Sequence, residues 1–274
     1  MNDQLSLMCT VAHPDDESFG FGGTLVRYAT EGVATHVVCA TRGPFGWPGA
    51  PAEHPGHEAL AALREGELRE AAAVLGLTGL HVLDFLDSHL AKVSPPELEE
   101  QLVALIRRVR PQVIVTFGPD GMYGHPDHIT MCQATTAAVA AAADPTRHPH
   151  HLGLELAPHR VSKLYYIALT HEQARLSDEA YGTVTVHVDG VRNEFDFVGY
   201  DNWYVTARLD VAAFLDRRWE ASIRHRSQLP GMQAVGTLSQ EQKLALWGEE
   251  CYYRALTFVD SGPGVESDLF AGLR

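Results

Sequence analysis

Two short segments carry most of the chemistry this sequence can offer. His13-Pro14-Asp15-Asp16-Glu17 and His125-Pro126-Asp127-His128 both begin His-Pro-Asp, and each places a metal-capable side chain three residues beyond its first histidine, Asp16 in one and His128 in the other. Proline is favoured at the first position of a helix, so each segment predicts a helix start with its histidine near the N-cap. Imidazoles with a carboxylate are the ligand set of a catalytic zinc or a non-haem Fe(II) site, where three protein ligands leave an open position for water. Four residues compete for the three places: His13, Asp16, His125 and His128. Asp15 is then a further carboxylate, able to act as a base on that water. An aspartate in the first turn of a helix is also ordinary dipole complementation, so one such segment alone would carry little. Two of them at matched places in the chain carry much more. The 15 histidines among 274 residues raise the same metal question.

The elements that must position these segments follow from apolar spacing. Leu5–Ala12 reads as a buried strand and ends at His13-Pro14, a helical pattern over 18–31 stops at Gly32, and Val33–Thr41 reads as a second strand. A Gly/Pro-rich loop over 43–56 follows, long enough to predict a mobile border to a site. Helices over 57–75 and 95–109 flank a strand at Leu80–Leu86, and Val113–Phe117 is a fourth strand. Gly118–Gly124 reads as a turn-rich loop, His128–Ala143 as an alanine-rich helix and Leu164–Leu169 as a fifth strand. Four alternations of strand and helix predict an α/β fold: a Rossmann-like three-layer sandwich with a mostly parallel sheet in the order 3-2-1-4-5. In such a sheet ligands bind at the carboxyl ends of the strands where the chain reverses direction, between strands one and four. The two His-Pro-Asp segments therefore face each other there.

Beyond residue 170 the pattern changes. Thr183–Val188 and Val191–Val198 alternate around Asp189-Gly190 as a hairpin, and 210–228 and 239–254 read as helices. No linker interrupts the chain, so residues 1–274 are expected to form one domain, with 1–170 as the core and 171–274 capping the substrate cleft. A net charge of −14 argues against a nucleic-acid partner. No apolar run approaches about 18 residues, so no membrane partner is expected. The first residues, with Asp3 and no basic segment, lack the character of a secretory signal, and the four cysteines form no CxxC pair. A cytoplasmic protein with reduced thiols is the expectation.

Ala12-His-Pro-Asp-Asp-Glu17 together with His125-Pro-Asp-His128 resembles the PIG-L/LmbE-like family of metal-dependent de-N-acetylases, over roughly residues 5–170. The resemblance implies hydrolysis of the acetamide of an N-acetylglucosamine-containing conjugate. It implies His13, Asp16 and His128 as ligands of Zn2+, with Fe2+ or another divalent ion as the alternative, and Asp15 as general base. It further implies His125 as a cation that steadies the oxyanion or protonates the leaving amine, Asp127 as the residue that orients His125, and Tyr123 as a tyrosine that swings over the substrate carbonyl. Arg64 and Asp87 fall where relatives contact the sugar hydroxyls. The stretch Thr41-Arg-Gly-Pro44 departs from the family's Thr-x-Gly-Glu, which changes the pocket rim and leaves the metal residues untouched. Two other readings stand beside this one: an amidase acting on thiol S-conjugates, and a non-catalytic sugar- or metal-binding protein, against which an intact Asp15 speaks. The partner implied is a small amino-sugar conjugate, and a homo-oligomer is compatible with the sequence.

The remaining signals are bland. His54-Pro-Gly-His57 and His148-Pro-His-His151 lie in Pro-rich loops without a partnered carboxylate and read as surface loops. Gly20-Phe-Gly-Gly23 lacks dinucleotide-fingerprint spacing and predicts close packing of a helix. No Gly-x-Ser-x-Gly elbow supports a serine hydrolase.

Overall fold

Six consecutive residues with no exposed side chain, Ser6–Val11, form β1, which delivers the chain to His13. The computed structural model describes residues 4–188 and 191–274. From β1 the chain enters α1 (Asp16–Thr30), β2 (Ala34–Thr41) and α2 (His57–Leu75), which ends at Gly76 with a left-handed φ of 77°. Then come β3 (Gly79–Phe85), α3 (Pro95–Val109), β4 (Val113–Thr116), α4 (Pro126–Ala143) and β5 (Lys163–Ile167). α3 and α4 each start on proline, as the lost N–H at that position predicts.

Among the described residues the sheet has seven strands in the order β3-β2-β1-β4-β5-β9-β8, where β8 is Ala207–Asp210 and β9 Glu249–Thr257, and its first five are parallel in the expected order. α1 and α2 pack with one another on one face, and α3 packs on α4 on the other. The core is built from the aliphatic faces of β1, β2 and β4 with Phe21, Leu25, Phe117 and Met131.

After β5 come α5 (His171–Tyr181), closed by a Thr170/Gln173 capping box, and the antiparallel pair β6 (Val184–Val188) and β7 (Val191–Phe195). The expected turn at Asp189-Gly190 lies outside the described residues. β8 (Ala207–Asp210), α6 (Leu215–Ser222), α7 (Gln240–Trp247) and β9 (Glu249–Thr257) follow, with short helical turns between them. Here the expectation of a helix over 239–254 is corrected. The helix stops at Trp247, and 249–257 is a strand pairing antiparallel with both β5 and β8. Helix and strand look alike over a short run such as Cys251-Tyr252-Tyr253, and the non-local pairing decides. The helix read over 210–228 likewise shortens to α6.

The glycines of α1 answer to this last segment. A Cβ on Gly23 would lie 2.6 Å from Val211 and 2.7 Å from Glu250 Oε1. Glu250 Oε1 accepts the N–H of Gly23 at 2.8 Å and its Oε2 that of Thr24 at 2.9 Å. Arg218, paired to Glu250 at 3.0 Å, donates to the carbonyls of Ser18 and Phe19. The chain's final third is thereby locked onto the helix that begins at Asp16.

Candidate functional site

The two His-Pro-Asp segments meet at the carboxyl ends of β1 and β4. His13 Nδ1 lies 3.3 Å from His128 Nε2 and 3.6 Å from Asp16 Oδ2, and His128 Nε2 lies 3.3 Å from Asp16 Oδ1. Ligands at about 2.0–2.2 Å from a tetrahedral ion are separated by about 3.3–3.6 Å, so this triangle has the size a divalent metal needs. The opposite ring nitrogens are engaged. His13 Nε2 faces Asp87 Oδ1 at 3.1 Å and Asp127 Oδ2 at 3.3 Å, and His128 Nδ1 faces the Gly121 carbonyl at 3.2 Å. With protons held on those outer nitrogens, His13 Nδ1 and His128 Nε2 present lone pairs to each other and to a carboxylate. Two facing lone pairs and an anion are a cation's donor set, and the residues fit the group. Asp16 is itself held by the His13 N–H, which donates to Oδ2 at 2.7 Å.

Packing fixes the rings. His128, 1% exposed, is stacked between Phe117 and His125, at centroid distances of 4.0 and 4.7 Å. Burial, then the neighbouring His128 and His13, push His125 down to about 2, so its ring is neutral in this setting. The expected link from Asp127 to His125 is made by backbone: the Asp127 N–H donates to His125 Nδ1 at 3.1 Å. Its carboxylate turns to His13 instead and accepts the N–H groups of Ser88 at 2.7 Å and Leu90 at 3.0 Å. Tyr123 stands beside His128 and His125 at 5.1 and 6.1 Å between ring centroids.

Asp15 occupies a strained backbone position, φ 122°, at the cap of α1. Its N–H donates to Glu17 Oε2 at 2.9 Å, while Glu17 Oε1 takes hydrogen bonds from Ser18 and from His225 at 2.7 Å. Burial raises the Asp15 carboxyl to about 6, with Arg64 opposing. Arg64, 3% exposed, donates to Asp15 Oδ2 at 3.1 Å and to the carbonyls of Pro14 and Gly43. Asp87 accepts the Phe45 N–H at 3.0 Å as well as facing His13. Both residues expected near the sugar therefore also brace the centre from behind. The loop over 43–56 borders the site as expected, tied at Gly43, Phe45 and, through Gln228, at Gly46.

The sequence reading missed Glu17 and His225, Phe117, and the N–H groups of Ser88 and Leu90. Of these only Glu17 carried a local signal, as the last residue of the first segment. The His148–His151 loop also differs from expectation, because α3 supplies carboxylates: Glu99 lies 3.1 Å from His148 and Glu100 2.8 Å from His150.

A doubly wound sheet with a His-Asp-His triangle and an adjoining carboxylate at its switch point defines a metal-dependent hydrolase of the Rossmann-like type. The comparisons narrow this class. Residues 8–139 match the PIG-L family, described as GlcNAc-PI de-N-acetylase. The 1D-myo-inositol 2-acetamido-2-deoxy-alpha-D-glucopyranoside deacetylase 2 of Catenulispora acidiphila is 33% identical, over 98% of this chain and 97% of its own. The mycothiol S-conjugate amidase of Streptomyces coelicolor is also 33% identical, over 100% and 99%. The structure of N,N'-diacetylchitobiose deacetylase from Pyrococcus horikoshii shares the fold, with a TM-score of 0.66 at 20% identity, covering 91% of this chain and 83% of that one. The chain belongs to the PIG-L family. It is an amide-hydrolysing enzyme of that family.

Proposed function

We propose that this enzyme removes the acetyl group from an N-acetylglucosamine-containing conjugate, with His13, Asp16 and His128 holding one divalent ion, Zn2+ or Fe2+. The observation that carries this reading is the triangle of facing donor atoms at 3.3, 3.3 and 3.6 Å, with Asp15 beside it. Such an ion supplies Lewis acidity and lowers the pKa of water at its open position. Asp15, its carboxyl raised by burial, takes the proton of the attacking water as general base, a role worth about 10²–10⁴-fold. Tyr123 and His125 donate hydrogen bonds to the developing oxyanion. The leaving nitrogen takes a proton from Asp15 or through His125, and the amine departs with acetate as co-product. Asp127 and Asp87 hold His13 in its donor tautomer, and Arg64 orients Asp15; Arg64 and Asp87 also offer polar contacts to the sugar.

Residues 1–274 act as one catalytic domain, in which 171–274 cap the cleft. Four free buried cysteines suit a reducing compartment, and we assign the enzyme to the cytoplasm. Among the described residues no helix is long and apolar enough to cross a membrane. A second reading, cleavage of the amide of a thiol S-conjugate, is favoured by the name of the Streptomyces coelicolor relative.

The test is a screen of metal-loaded protein against N-acetylglucosamine joined to inositol, malate, a lipid or a second sugar, and against a thiol S-conjugate amide. Released amine is the readout. Amine from at least one acetamido sugar supports the primary reading, amine from the S-conjugate alone supports the second, and release from none refutes both.

A further inference from the structure

Beside the His-Asp-His triangle the structure holds a cavity of about 160 Å³ whose body, beyond its catalytic end, no step of the mechanism uses. Asp15, Asp16, His128 and Tyr123 close one end of it, and the rest of its wall comes largely from α1 and from the chain beyond residue 166. That wall is aromatic and aliphatic. Phe197 lies 5.4 Å from Tyr123 and 5.5 Å from Tyr181 between centroids, and Phe19 links Tyr181 to Trp247 at 6.2 and 6.3 Å. A nearly continuous aromatic lining thus runs from the reacting centre to Trp247, with Leu246 beside it.

The polar residues of the wall are already spent on the protein itself. Gln173 donates to the Glu249 carbonyl at 2.9 Å and accepts the Thr170 N–H at 3.0 Å. Ser177 donates to the Gln173 carbonyl at 2.8 Å. Arg218 is engaged by Glu250 and by the carbonyls of Ser18, Phe19 and Trp247. Away from the catalytic end, a polyol placed here would surrender its water hydrogen bonds and gain few in return, which disfavours it. Apolar cavities of about 150 Å³ take a benzene-sized occupant. The methyl of an acetyl group would leave most of this space empty. Arg64 and Asp87, the polar contacts assigned to the sugar, are not in this wall.

We propose that the chamber is a specificity subsite for an apolar substituent of the amide substrate, a phenyl ring or an alkyl chain of about six carbons, carried on the acyl group or on the sugar's aglycone. The inference rests on reading the triangle as the amide-hydrolysing centre. It departs from the polyol aglycone in the name of the Catenulispora relative.

Metal-loaded full-length enzyme is assayed for kcat/KM on the methyl, hexyl, phenyl and inositol glycosides of N-acetylglucosamine, and on methyl N-hexanoylglucosaminide. Each methylene buried is worth about three- to fourfold. The expected result is at least a thirtyfold gain over the methyl N-acetyl compound for hexyl or phenyl in one arm, aglycone or acyl, with inositol giving none. Equal or poorer turnover of the apolar compounds in both arms overturns the proposal. Binding is read separately, by tryptophan fluorescence, with methyl and hexyl glucosaminide as unreactive products. If no amide is cleaved yet hexyl glucosaminide binds thirtyfold more tightly than methyl, the hydrolase reading fails and the chamber stands. Phe197→Asn and Leu246→Asn should each erase the apolar preference, with melting temperature and bound metal confirming the fold, and Leu246→Asn, which does not touch Tyr123, should leave turnover of the methyl N-acetyl compound unchanged. A preference that survives in both folded variants refutes the chamber as its source, and if neither variant folds the wild-type series decides.

Discussion

Replacing Asp127 by asparagine should weaken metal binding although Asp127 touches no metal in the proposed arrangement. Its carboxylate is fully buried and serves three donors: the N–H of Ser88 at 2.7 Å, that of Leu90 at 3.0 Å, and His13 Nε2 at 3.3 Å. An amide has one acceptor oxygen, so its NH2 must confront at least one of those N–H groups. If it faces His13, the ring loses the partner that keeps its proton on Nε2 and its lone pair on Nδ1. Substitutions of this kind typically cost 10–100-fold in metal affinity, equivalent to about 1.4–2.7 kcal/mol. Asp87 remains 3.1 Å from the same nitrogen, so Asp127→Asn alone should fall at the lower end, about tenfold. The double variant Asp87→Asn/Asp127→Asn should lose about a hundredfold or more. Competition of each protein with a fluorescent zinc chelator measures the affinity, and circular dichroism checks the fold. A folded double variant that binds zinc as tightly as the native chain refutes the role given to both carboxylates.

Two stability predictions follow from the buried ion pairs. Glu250→Gln leaves Arg218 charged and uncompensated inside the seam with α1, where the pair's side chains are 3% and 4% exposed, and should cost about 3–5 kcal/mol in urea unfolding. A loss below about 1 kcal/mol would mean the seam does not hold the final third in place. Glu266 faces Lys163, whose side chain is fully buried, at 2.8 Å; burial pushes its carboxyl up, but hydrogen bonds led by that from Lys163 outweigh it and hold the carboxyl below the usual range. Stability from this depressed carboxyl is complete above the unfolded value of about 4.3 and is lost as pH falls through the lower folded value. Glu266→Gln should therefore be destabilised by about 3 kcal/mol at pH 7, with its gap to the native protein narrowing as pH falls below about 4.3; a gap that is constant with pH contradicts the assignment.

The parallel half of the fold was legible because each strand there is a short apolar run, buried in all but the edge strand β3, and each helix is bounded by proline or glycine. Five strands could be read from the alternation of strand and helix, and their order from the Rossmann-like doubly wound pattern that this alternation suggested. β9 could not, because Glu249–Thr257 has the composition of either element and is decided by β5 and β8, which lie far from it in the chain. The centre divides in the same way. His13, Asp16, His128 and Asp15 were readable because their spacing from a helix start fixes where they converge. The partners of His13 were partly hidden: Asp127 was seen but linked to His125, since nothing local tells which donors its carboxylate reaches. His225 was invisible, 208 residues from the Glu17 it meets, in a stretch without a motif. The apolar chamber is lined by residues from eight separated helices and strands and the loops between them, and no window of sequence contains it.

The central claim is that Asp16 is a ligand and Asp15 the base, and paired amide variants test it most directly. Asp15 stands at the cap of α1 with a non-helical φ of 122° while Asp16 is the helix's first residue, so the two side chains leave the backbone in different directions and one can face an ion while the other faces the water. Bound metal, by elemental analysis, and acetamide turnover are measured together for Asp15→Asn and Asp16→Asn. The account predicts that Asp15→Asn keeps its metal while turnover falls by about 10²–10⁴. It predicts that Asp16→Asn loses metal and turnover together, because the ion's only anionic ligand is gone. An Asp15→Asn protein stripped of metal beside an Asp16→Asn protein that retains it would contradict the account.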